Sequence, residues 1–186
     1  MRGNFENCMT FVLRHEGRFS QDPDDTGGAT NYGISLRFAR SIHLDLDGDG
    51  ETTVDDIRLV TPTVATQLYR EHFWSPLFCD LIPEGVDLVL VDGAINQGVN
   101  RLARLLQRSL GLVDDGVLGP VSQAAMGALA VHPELHQEVL LSLAWRRAKK
   151  YSEAATVNRH GNGWYRRLFE AYDASLTMLG SAGKEK

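Results

Sequence analysis

The stretch EGVDLVLVDGAINQ, residues 84–97, constrains this chain more than any other. It is long enough for a helix and apolar nearly all round. A helix of that kind has no face for water, so other elements must cover it on every side. The chain has 186 residues, 43% of them apolar, which is ample for one compact domain or a domain with a small appendage. The rest of the sequence supplies helical cover. Phe5, Cys8, Met9 and Val12 recur at i, i+3, i+4 and i+7, predicting a helix over 4–15 with Asn4 as its N-cap and Gly17 as its stop. Ser35 can cap a helix running to about 42. Thr61-Pro62 opens another that runs to about Trp74. Leu102, Leu105, Leu106 and Leu110 mark the next helix, ended by Gly111. DDGVLGP at 114–120 predicts a turn, and Pro120 a new helix start. Helices over 134–155 and 163–178 are split by NRHGNG, and the tail SAGKEK is polar. Residues 18–34, rich in turn formers, fit a small hairpin or an ordered loop. The expected class is mainly α with a minor β element.

Charge narrows the function classes. The net charge is -5 and no basic stripe is present, which argues against a nucleic-acid binder. The short runs RRAKK (146–150) and YRR (165–167) read as solvated helix faces. Cys8 and Cys79 build neither a disulfide framework nor a zinc site, so buried free thiols are expected. No run has the length of a transmembrane span, and the N-terminus lacks the pattern of a Sec signal peptide. The expectation is a soluble monomer made in the cytoplasm, without membrane insertion. A target outside would then require another route of release.

Glu16 is the first candidate for chemistry. It continues the apolar stripe of the first helix, four residues after Val12. Desolvation on such a stripe raises a carboxyl pKa, as a general acid at neutral pH requires. The Asp- and Gly-rich segment that follows is the kind of loop that lines a site. The alternative is an ordinary solvated surface glutamate. Asp25 follows after eight residues and Thr30 after four more. Glycoside hydrolysis commonly pairs one protonated and one ionised carboxylate. Asp25 is either that second carboxylate or, like Asp22 and Asp24, a turn former. Thr30 would orient a water or cap a turn. Tyr32 would stack on a sugar or be a half-buried structural ring. Asn96, on an apolar helix, must find hydrogen bonds, bracing the site or touching a sugar N-acetyl group. Trp74 and Trp164 read as core.

The spacing nearly repeats the Glu-x8-Asp-x5-Thr pattern of phage-type lysozymes, with the threonine one residue early. Glu16-Gly17, Asp22-Pro23, Asp25, Gly27-Gly28, Thr30 and Gly33-Ile34 follow in the order of the glycoside hydrolase family 108 signature. The chain resembles those muramidases, a group that includes secretion-activator proteins and some phage endolysins. Arg18 departs from the pattern, standing where the family has a second glycine. The likeness continues through LYREHFW and through Asp92, Asn96 and Gly98. LLQRSLGLVDDGVLGPVSQAA is similar to the peptidoglycan-binding region usually attached in this family. The resemblance implies a lysozyme-like fold with a catalytic region over 1–98, a helical peptidoglycan-binding-like region over 99–180 in the same compact domain, and a flexible tail over 181–186. It implies Glu16, Asp25 and Thr30 as catalytic residues, Tyr32 and Asn96 as substrate contacts, and bacterial peptidoglycan as the partner. The activity implied is cleavage between N-acetylmuramic acid and N-acetylglucosamine. A lytic transglycosylase and a non-catalytic wall-binding or secretion-assisting module are the alternatives.

A second motif stands apart from this chemistry. In DLDGDGETTVDD (45–56), Asp45, Asp47 and Asp49 fall at positions 1, 3 and 5 of an EF-hand-like loop. Gly50 takes the sharp-turn position, Glu51 position 7, Thr53 position 9 and Asp56 position 12. Thr52 departs from the usual aliphatic residue. The alternative is a solvated acidic turn. Six acids in twelve residues repel one another without a counter-ion, which points to a structural calcium ion. Glycosidic cleavage by carboxylates needs no metal.

Overall fold

The computed structural model describes residues 3–21 and 27–182. They fall into two compact units, one within residues 9–70 and the other built from the residues up to Cys8 together with those from Glu71 onward. The first helix, α1 (Gly3–His15), contributes to both.

In the unit spanning 9–70, Phe11 and Val12 of α1 are buried. A two-stranded antiparallel hairpin follows, β1 (Thr30–Asn31) and β2 (Ile34–Ser35), with Thr30 opposite Ser35 and Asn31 opposite Ile34. Ser20 adds a bridge on the far side of Thr30. The Ser35 hydroxyl accepts the Phe38 N–H at 3.2 Å and starts α2 (Leu36–Ser41), as its position predicts. The acidic loop leads to α3 (Val54–Leu59), capped by Thr53. Thr61 caps α4 (Pro62–Tyr69), with proline in its first turn. Asn31 is buried and donates to the carbonyls of Ile57 (3.0 Å) and Val60 (3.1 Å), tying the hairpin to the end of α3. The helix expected to reach Trp74 is α-helical only to Tyr69 and widens into a π-helical turn over Arg70–Trp74.

In the other unit, α5 (Val86–Gln97) is the predicted central helix, with every residue from Val86 to Ala94 buried. It is covered by α6 (Val99–Ser109), α8 (His136–Ser152) and α9 (Val157–Ala182), while α7 (Pro120–Val131) follows the DDGVLGP turn. Trp74 is core, edge-on to Phe5 with centroids 5.2 Å apart, and both cysteines are buried free thiols. Burial raises both thiol pKa values well above the ordinary range. Among the described residues no helix is long and apolar enough to cross a membrane.

Three expectations fail in instructive ways. Asn4 lies inside α1 instead of capping it. It is buried, and its side chain hydrogen-bonds the Asp87 carboxyl. NRHGNG does not split two helices: it lies within α9, and the break falls at 153–156. Trp164 and Tyr165 dock on Tyr151 with centroids 5.4 and 5.7 Å away, and Tyr165 donates to the Ala148 carbonyl at 3.2 Å. Those contacts outweigh the low helix propensity of Gly161 and Gly163. Finally, the run at 146–150 is not all solvated. Arg147 is fully buried, donating to Asp92 at 2.8 Å, to the Val89 carbonyl at 2.8 Å and to Tyr151 at 3.2 Å. Arg167, from the YRR run, meets the other Asp92 oxygen at 2.8 Å. Burial alone would raise the Asp92 carboxyl, but the two guanidinium groups hold it below its ordinary range.

Candidate active site

The hairpin is closed by a two-residue turn, Tyr32-Gly33, with φ of 46° and 78°. Both central residues are left-handed, the condition for a type I′ turn whose twist matches the strands it joins. Two side chains reach this turn. Tyr69, at the end of α4, is fully buried, and its hydroxyl donates to the Tyr32 carbonyl at 2.8 Å. Glu16 lies one residue past the end of α1, its N–H still bonded to the Val12 carbonyl at 3.0 Å. Its carboxylate rests against Gly33. A Cβ there would stand 2.7 Å from Glu16 Oε2 and 2.8 Å from Glu16 Cδ, and would collide with the Tyr69 hydroxyl. Gly33 is therefore required twice, for its dihedral and for the approach of the carboxylate. The Tyr32 N–H donates to the Gly17 carbonyl at 2.9 Å, which fastens the turn to the end of α1.

Glu16 is half-buried, neither sealed in the core nor splayed into water. Thr30 sits in the hairpin, its backbone paired with Ser20 at 2.8 Å in both directions and its hydroxyl 3.3 Å from the Gly28 carbonyl. Tyr32 is half-exposed at the turn itself. Asp25, with Asp22 and Asp24, lies outside the described residues. Tyr69 and Gly33 were not foreseen as site residues. Each reads in sequence as an ordinary helix aromatic or turn glycine, and only the folded hairpin gives them their roles.

Residues 9–98 match the family model of glycosyl hydrolase 108. This segment, which contains Glu16, the hairpin and Tyr69, is similar to that family. A solved structure, that of Brucella abortus SagA, is similar over 96% of this chain and 97% of that one, with 29% identity and a TM-score of 0.83. No curated protein sequence matches the chain.

The matched segment also contains the acidic loop and Asn96. Asn96 belongs to the other compact unit, is exposed, and donates to the Asp92 carbonyl of its own helix at 2.7 Å. In the loop, Asp45, Asp47 and Asp49 each offer a carboxylate oxygen, and the three oxygens lie within 4.8 Å of one another. Asp45 accepts the N–H groups of Gly48 (2.6 Å) and Gly50 (3.0 Å), Asp47 that of Asp49, and Asp49 that of Glu51. Asp56 is fully buried and accepts from Leu46 at 2.6 Å and Thr53 at 2.7 Å, forming a capping box with Thr53. Bonding to the Thr53 N–H is the main reason its carboxyl is held below the ordinary range. The Asp49 N–H pulls Asp47 downward, yet desolvation and its carboxylate neighbours leave it raised. The Asp45, Asp47 and Asp49 carboxylates could together hold a metal ion.

Proposed function

We propose that the chain is a peptidoglycan hydrolase that cleaves between N-acetylmuramic acid and N-acetylglucosamine. The observation that carries this reading is the Glu16 carboxylate seated against Gly33 at a hairpin turn, inside the segment that matches a glycosyl hydrolase family. Glu16 acts as general acid and protonates the glycosidic oxygen as the bond to the sugar breaks. Asp25 stabilises the oxocarbenium-like transition state or activates the attacking water, with Thr30 assisting. Tyr32, half-exposed at the turn, offers a ring for a sugar, and Asn96 an amide for an N-acetyl group. Residues 99–180 serve as a wall-binding-like region. The enzyme acts in the cell wall, reached by a holin-type or other non-Sec route.

The loop at 45–56 holds a structural calcium ion through Asp45, Asp47, Asp49, the Glu51 carbonyl and Asp56. The proximity of the first three carboxylates supports this. The ion would set the path of the chain between α2 and α3 and take no part in bond cleavage. Mass spectrometry of digested sacculi tests the reading of the reaction. Reducing-end N-acetylmuramic acid is the expected product. A 1,6-anhydro product identifies a lytic transglycosylase instead, and the absence of soluble fragments identifies a binding module, the reading that the exposed Arg18 favours.

A further inference from the structure

We propose that the outer face of α8 and α9 docks a second copy of this chain. The two helices belong to one compact unit, are joined by the short turn at 153–156 and pack antiparallel along their length. Each buries one side against α5, α8 through Arg147 on the Val89 carbonyl and Asp92, and α9 through Arg167 on Asp92. The side away from α5 carries a stripe at helical spacing on each helix: Glu138, Leu141, Trp145 and Lys149 on α8, and Arg166, Phe169 and Asp173 on α9. All seven residues are exposed, and the apolar ones strongly so, Leu141 by 57%, Trp145 by 56% and Phe169 by 67%. The Tyr165 hydroxyl on the Ala148 carbonyl at 3.2 Å and the Trp164 ring 5.4 Å from that of Tyr151 set the register of the two helices. That register brings Phe169 to the level of Trp145. Exposed apolar side chains gathered in this way, with charges around them, mark an interaction surface.

The charges select the partner. Lys149 and Arg166 stand at one end of the face and Glu138 and Asp173 at the other, roughly 16 Å apart along α8 and roughly 10 Å apart along α9. The midpoint of each pair falls beside the apolar cluster. Lys149 lies over the Trp145 ring at 5.6 Å, and Arg166 keeps Glu170 on its flank at 2.9 Å. A copy related by a two-fold axis running across the two helices lays α8 on α8 and α9 on α9, each pair antiparallel. Lys149 then meets Glu138 of the second copy, and Arg166 meets its Asp173. Trp145 covers Leu141 of the second copy, and the two Phe169 rings come together. An axis along the helices would instead set Lys149 against Arg166 of the second copy. The face is thus complementary to itself in one arrangement, as an isologous interface requires. Its size sets the strength. Two helices of this length packed 8–10 Å apart present roughly 25 by 20 Å, about 500 Å² per partner against the ~800 Å² of a standard interface. Association of about micromolar strength follows from so small a face. The monomer expected from the sequence took no account of this face, which exists only once α8 and α9 pair.

The test is sedimentation equilibrium of the full chain from about 1 to about 300 µM, a range that brackets a micromolar dissociation constant. The expected result is a reversible equilibrium between monomer and dimer. Trp145→Ser should weaken it about tenfold or more, the loss of an aromatic anchor at the centre of an interface. Circular dichroism should stay native, because Trp145 is exposed. Lys149→Glu sets like charges together at two symmetric points and should also weaken the dimer. Adding Glu138→Lys to that variant should restore the wild-type equilibrium, since the exchanged charges meet again as opposites. A single monomeric species across the whole range would overturn the proposal. So would association that Trp145→Ser leaves unchanged, or that the charge exchange fails to restore. A monomer throughout, whose melting temperature rises with a chitooligosaccharide in wild type but not in Trp145→Ser, would overturn it in favour of a glycan on this face.

Discussion

Single residues hold this site in place, and Gly33 holds the most. It occupies a left-handed position at φ 78°, and the Glu16 carboxylate fills the space where any side chain would begin. Gly33→Ala is expected to cost about 1–2 kcal/mol in stability through backbone strain. The effect on activity should be larger, about a hundredfold, because a displacement of the acid by an ångström can cost that much. Thermal melting and sacculus hydrolysis measured on the same preparation separate the two effects. Asp87 gives a second prediction at this scale. Burial pushes its carboxyl up to about 7, although Asn4 and the Gly85 and Leu88 N–H groups pull the other way. The folded state therefore holds this proton more tightly than the unfolded chain, whose carboxyl lies near 3.8. Stability from this group is fully present below 3.8 and is lost as pH rises to about 7, by roughly 4 kcal/mol in total. Asp87→Asn keeps an acceptor for both N–H groups and cannot ionise. It should flatten the melting profile over that window and raise the melting temperature at pH 8. An unchanged pH profile would show that Asp87 does not titrate there.

At the scale of elements, most boundaries were legible because local chemistry decides them. Ser35, Thr61 and Pro62 start the helices they were expected to start, and the apolar run at 84–97 became the covered helix. Where tertiary contacts decide, the sequence misleads. The glycines at 161 and 163 suggest a break, but the docking of Trp164 and Tyr165 on Tyr151 carries the helix through them. Arg147 looked solvated because its partner, Asp92, is 55 residues away in sequence. A carboxylate on a helix buried all round does demand a cation, which is the one signal that points to it. The acidic loop offers a prediction for an element. A ligand bound only by the folded state stabilises it by about 2.7 kcal/mol at a hundredfold excess over its dissociation constant. Chelator should lower the melting temperature and calcium restore it, magnesium much less, since magnesium favours a tighter octahedral shell. Asp47→Ala combined with Asp49→Ala should remove the difference. A melting curve indifferent to chelator leaves the loop a plain acidic turn.

For the whole molecule, the candidate site was legible in part. Glu16 was marked by its place at the end of an apolar stripe, and the structure brings it to the hairpin turn. Tyr69 was not marked, because a buried aromatic on an amphipathic helix looks like core until its hydroxyl finds a carbonyl 37 residues away. The central claim is that this carboxyl is the acid that cleaves the wall glycan. Glu16→Gln preserves shape and removes the proton donor, and general acid assistance is worth about a hundred- to ten-thousandfold. The decisive measurement is release of soluble muropeptides from purified sacculi by wild type and Glu16→Gln, with circular dichroism as the control for folding. The account predicts a folded variant whose release falls by at least a hundredfold. A folded variant that releases fragments at the wild-type rate would contradict it.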